Sequence, residues 1–116
     1  MRIIKINENN AHYWHMRLWN WLANNPKKMK EDWPGWKYVE KTYQDCFACK
    51  IANDRHVTIK GFHNPGRSCF YCPIEDWTHK PFSCENGEYF YWKYYTGKEK
   101  QKYAKIIANM KWWYLC

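Results

Sequence analysis

Apolar positions recur with a helical period in two stretches of the chain. In residues 10–23, "NAHYWHMRLWNWLA", Trp14, Leu18, Trp21 and Leu22 fall at i, i+4, i+7 and i+8, which gathers them on one face of a helix. Asn10 stands where an N-cap is expected, and "NNP" at 24–26 supplies the stop. From Lys98 to Met110, Tyr103, Ile106, Ile107 and Met110 share a face, with Lys98, Lys102, Lys105 and Asn109 elsewhere. His12 and His15 on the first helix have no acid or thiol near them in sequence, so they are expected at the helix edge, solvated or hydrogen-bonded, rather than as ligands.

The intervening chain is less regular. "DWPGW" at 32–36 predicts a turn at Pro34 and Gly35 between two tryptophans that pack back on the domain. Residues 37–45 carry no decisive pattern, whereas "RHVTIKGF" at 55–62 has the β-branched content of a strand. "CENGEYFYWKYYTG" at 84–97 is so densely aromatic that periodicity does not separate helix from strand. These elements predict an α+β, mainly helical fold with at most a small antiparallel sheet. At 116 residues the chain is the size of one domain, 1–116.

Composition changes the picture of the core. Aliphatic residues are few, while nine Trp and ten Tyr supply an unusual share of the 46% hydrophobic content. A core of rings follows, and because Tyr and Trp need partners for their polar atoms, many of these rings are expected half exposed at its edge. The start "MRIIKINENN" lacks the apolar region of a secretory signal, and no stretch is apolar enough to span a bilayer. The expectation is an intracellular, cytoplasmic protein with no membrane partner, in a compartment where thiols stay reduced.

In that compartment paired cysteines point to a metal. "CFACK" and "SCFYC" place Cys46, Cys49, Cys69 and Cys72 in a C-x2-C-x19-C-x2-C pattern, the spacing of structural zinc. Pro65 and Gly66 just before the second pair allow the chain to reverse and bring the pairs together. Cys84 is the alternative fourth ligand, and His56, His63 and His79 also lie close in sequence. Four thiolates leave zinc no open position, so such a knuckle would organise the fold without activating water; iron could occupy the same tetrahedron.

Charge is uneven. Residues 91–116 carry six lysines against one acid, whereas 51–90 carry four basic residues against five acids. A basic pole interleaved with Tyr and Trp matches the footprint of nucleic-acid binding, yet six lysines around one amphipathic helix also describe an ordinary solvated face. Arg, the residue of bidentate base reading, is scarce, so sequence-specific readout is not indicated.

Enzymatic readings fit poorly. "DRH" at 54–56, "HN" at 63–64 and His79 invite comparison with HNH nucleases, but Arg55 separates Asp54 from His56, and Pro73 follows Cys72. There is no H-x-E ahead of a P-C-x-x-C, which excludes a zinc deaminase. A redox CxxC requires a βαβ context and a helix starting at the first Cys, and neither is indicated. The expectation is no enzyme and no small-molecule substrate.

Taken together, the two cysteine pairs, "DWPGW", the Trp-rich first helix and the closing "YAKIIANMKWW" resemble a family of short proteins encoded by phages and prophages of Gram-positive bacteria. The chain is similar to a zinc-binding member of the type II-A anti-CRISPR proteins within that group. The resemblance implies a non-enzymatic inhibitor that binds a Cas9-type effector, alone or with its guide RNA, and blocks target-DNA loading or a later step. A basic chain is not a DNA mimic; it suits an acidic patch of the effector or the guide itself. The expected contact residues are Trp92, Tyr95, Lys98, Lys102 and Lys105. The alternative is a zinc-stabilised module binding nucleic acid non-specifically in phage gene control.

Overall fold

A computed structural model describes residues 2–42, 45–60, 71–77 and 87–113. Among the described residues four helices carry the fold: α1 (Ala11–Asn24), α2 (Phe47–Lys60), α3 (Glu88–Tyr94) and α4 (Gly97–Ala108). α1 is central, with α2 and α4 packed on it, and α3 packs on α4. None of these helices is long and apolar enough to cross a membrane.

The buried face of α1 runs through Ala11, His15, Leu18, Trp19, Leu22 and Ala23. It is rotated from the face predicted by Trp14 and Trp21, which are only partly buried against the core. Two alanines on the buried face let neighbouring helices approach closely, and hydrophobicity alone does not reveal that preference. Asn10 holds the N-cap position without capping: its Oδ1 accepts from the Asn7 amide at 2.9 Å and its Nδ2 donates to the Lys5 carbonyl at 2.9 Å. It fixes the approach to the helix instead.

His15 corrects the expectation of an edge position. Its ring is buried, with Nε2 3.0 Å from the Ile107 carbonyl of α4. A carbonyl only accepts, so Nε2 carries the proton, as it does in the neutral Nε2–H tautomer and in the cation alike. Burial holds its pKa at about 4; the Ile107 carbonyl opposes that shift and His12 adds to it. The folded value lies below the ordinary 6.5, so this contribution to stability is complete above pH 6.5 and is lost as pH falls toward 4. The shift corresponds to about 3 kcal/mol. Urea unfolding at pH 7 and pH 4 should therefore show a larger acid loss in the parent than in His15→Gln; equal losses would refute this account.

The strand expected over 55–62 is a helix as far as Lys60; residues 61 and 62 lie outside the described residues. Phe47, Ala48, Ile51, Ala52, Arg55 and His56 are buried at i, i+1, i+4, i+5, i+8 and i+9. That stripe begins before Arg55, so a window opening at Arg55 sees only the β-branched end of it. The aromatic stretch left undecided forms α3. On α4 the buried face is Lys100, Ala104, Ile107 and Ala108, leaving Ile106 exposed and Tyr103 partly buried.

Among the described residues, β-structure amounts to two isolated bridges in place of an antiparallel sheet: Ile4 with Val39, parallel, and Ile74 with Trp112, antiparallel. The result is a small helical domain. "DWPGW" does fold the two tryptophans back. Successive 3-10 turns, Lys30–Asp32 and Pro34–Lys37, set the Trp33 and Trp36 rings edge to face at 5.1 Å, and both meet Phe47. A Cβ on Gly35 would lie 2.1 Å from the Trp33 ring, so this packing requires glycine.

Candidate functional site

Two features stand out: the first cysteine pair and an aromatic face on α3 and α4.

Asp45 adopts φ 52°, a left-handed conformation that Asp tolerates better than most residues, and turns the chain into α2. Cys46 therefore precedes the first helical residue, and its Sγ accepts the Cys49 amide at 3.2 Å. The Cys46 thiol is held at about 7, chiefly by the hydrogen bond from the Cys49 thiol, against burial, with Lys30 and the amides of Cys49 and Ala48 assisting. Lys30 is itself buried, with Nζ 4.5 Å from the centre of the Tyr89 ring. Burial presses its ammonium toward neutrality, but the Cys46 thiol, Tyr89 and the Cys49 thiol outweigh this and the net shift is upward.

This chemistry fits half of a thiolate metal site: two convergent sulfurs, one near neutral pKa, beside a cation that offsets thiolate charge. Cys72 is buried, and its carbonyl accepts from Trp113 Nε1 at 2.8 Å. Cys69, Cys84, His63 and His79 lie outside the described residues, and among the described ones no group of three or more His, Cys, Asp or Glu is arranged to hold a metal ion. His56 stacks on Tyr71 at 5.3 Å. A helix does begin directly after Cys46, so one of the two conditions for a redox pair is met, while no βαβ unit is present among the described residues.

"DRH" has a structural role at its centre. Arg55, 2% exposed, donates through Nε and Nη2 to the Glu8 carboxylate, at 2.7 Å for the second bond. It also donates to the Tyr71 and Trp113 carbonyls and lies 4.1 Å from the centre of the Trp113 ring. Asp54 pairs with Lys50 at the surface.

The aromatic face is built by a seven-residue helix. α3 turns Trp92 inward, where it is fully buried, edge-on to Trp19 at 4.8 Å and under the Lys100 ammonium. Trp92 is therefore a core residue and is corrected from the expected contact set. The other rings face out. Phe90 and Tyr94 lie 4.6 Å apart, Tyr91 stacks on Tyr95 at 5.7 Å, and Tyr103 of α4 touches both Tyr91 and Tyr95 at 5.1 and 5.7 Å. Phe90 contacts Tyr91, so five rings form one continuous cluster. Four of them are exposed, Tyr94 most at 66%. Lys98, Lys102 and Lys105 are exposed on the adjoining helix, with the Lys102 ammonium over the Tyr103 ring. Tyr95 and the three lysines are exposed, and Phe90, Tyr91, Tyr94 and Tyr103 join Tyr95 in the cluster, a grouping that only a helix of known phase separates from Trp92.

No protein-family model, curated protein or solved structure matches the chain.

Proposed function

We propose that the protein is a non-enzymatic binding protein whose α3–α4 face meets an acidic surface of a protein partner. The observation that carries this reading is the five-ring cluster, four of its members exposed, edged by Lys98, Lys102 and Lys105. Exposed contiguous rings mark interaction surfaces, aromatic residues dominate binding hot spots, and lysines at the rim speed encounter with an acidic partner. Tyr91 and Tyr95 stack on each other, so each keeps one face fewer for interleaving with bases, which favours protein over single-stranded nucleic acid. Zinc, held by Cys46, Cys49, Cys69 and Cys72 or with Cys84 in one place, keeps that face in shape. The family resemblance extends the reading to a Cas9-type effector in the cytoplasm of the bacterial host, inhibited at target-DNA loading or a later step.

The test is titration of the protein into Cas9 with guide RNA, following both complex formation and DNA cleavage. Inhibition should saturate near equimolar protein. Tyr94→Ala, which removes an exposed ring and spares the core, should weaken binding by about 30-fold. Binding to free RNA or DNA with a steep salt dependence, and none to Cas9, would instead select the nucleic-acid module.

A further inference from the structure

Lys30 is a buried lysine with a defined place beside the first cysteine pair. Its 3-10 turn is pinned to the start of α2: the Lys30 carbonyl accepts from Trp36 Nε1 at 2.9 Å, and the Trp36 ring lies 5.3 Å from that of Phe47, the residue after Cys46. The side chain lines one cleft with Asp45, the residue before Cys46. On its other side the ammonium rests 4.5 Å from the centre of the Tyr89 ring of α3. Turn and ring together hold the charge at the bend that carries the cysteines. Burial alone would press Lys30 toward neutrality, but the Cys46 thiol, Tyr89 and the Cys49 thiol outweigh it and raise its pKa.

The cation and the cysteines meet complementary needs. A ring face attracts an ammonium by less than burial costs it, so the charge gains most from an anion. Four thiolates around a divalent ion leave a net charge of about −2, which a protein interior tolerates when N–H donors and cations face the sulfurs. The Cys49 amide already donates to Cys46 Sγ at 3.2 Å.

We propose that Lys30 is a positioning residue of the thiolate metal site, its buried ammonium the permanent counter-charge to the Cys46 and Cys49 sulfurs. This rests on the reading that the cysteines hold zinc, and it names what the chain supplies to the metal besides ligands.

Zinc affinity is measured by competition with a chromogenic chelator in the parent chain, Lys30→Met, Lys30→Gln and Lys30→Arg. Lys100→Met is the control, because Lys100 is as deeply buried but sits on Trp92 and Met29. Both neutral variants of Lys30 should bind zinc about ten- to a hundredfold more weakly. Lys30→Arg should recover most of that loss, and Lys100→Met should show none. A second readout separates charge from packing. Removing a positive charge beside the sulfurs raises the energy of their electrons, so in cobalt-loaded protein the sulfur-to-cobalt charge-transfer band should move to longer wavelength in Lys30→Met and stay in place in Lys100→Met. In the parent itself, exchange of zinc for cobalt should shift the proton resonances of the Lys30 side-chain end more than those of Lys100, a result that needs no variant to fold. Parent-like zinc affinity in the neutral variants, an unmoved band, or a larger shift at Lys100 would overturn the role of Lys30 and leave the metal site standing. A parent chain that takes up neither zinc nor cobalt would overturn the metal site, and this inference with it.

Discussion

Replacing Arg55 with Met should cost about 2–4 kcal/mol of folding stability, because it leaves two carbonyl acceptors without their donor, each unmade bond costing about 1–3 kcal/mol. Arg55 joins four parts of the chain: α2, Glu8 ahead of α1, Tyr71, and Trp113 beyond α4. Loss of the guanidinium strands the Tyr71 and Trp113 carbonyls and uncovers the Trp113 ring. Glu8 is 40% exposed at its side chain and can be rehydrated, so Glu8→Gln should cost much less than Arg55→Met. Arg55→Lys keeps charge but not the planar fork and cannot serve Glu8 and two carbonyls at once, so it should fall between. Urea unfolding of the three variants checks the order. A loss below about 1 kcal/mol for Arg55→Met, the scale of a surface pair, would show that the hub carries little.

Metal removal should have the largest effect of all. One zinc per chain is expected, and stripping it with a chelator should abolish cooperative unfolding, because structural zinc contributes on the order of 10 kcal/mol to small domains. Metal analysis and circular dichroism before and after chelation read this directly, and Cys49→Ser should reproduce the chelated state. Zinc-free protein that melts cooperatively would remove the metal from this account. The Cys46 thiol at about 7 would then be the group to examine, as a reactive thiolate at the start of α2.

The helical nature of α1 and α4 was legible from period alone, because both expose one polar side and bury the other. So were the return of Trp33 and Trp36 around Pro34 and Gly35, the basic pole, and the pairing of Cys46 with Cys49, since each depends on residues close in the chain. Faces and burial were not. Whether Trp92 or Tyr94 points outward depends on the phase of α3, which its near-uniform aromatic sequence does not encode and packing against Trp19 and Lys100 decides. His15 and Lys100 read as surface residues because they are polar, and nothing near Arg55 in sequence marks it for burial. Their burial is decided by partners distant in sequence: the Ile107 carbonyl for His15; Glu8, Tyr71 and Trp113 for Arg55; Trp92 and Met29 for Lys100. A polar side chain is buried where a remote segment supplies an acceptor or a ring, and only the folded chain brings that segment to it.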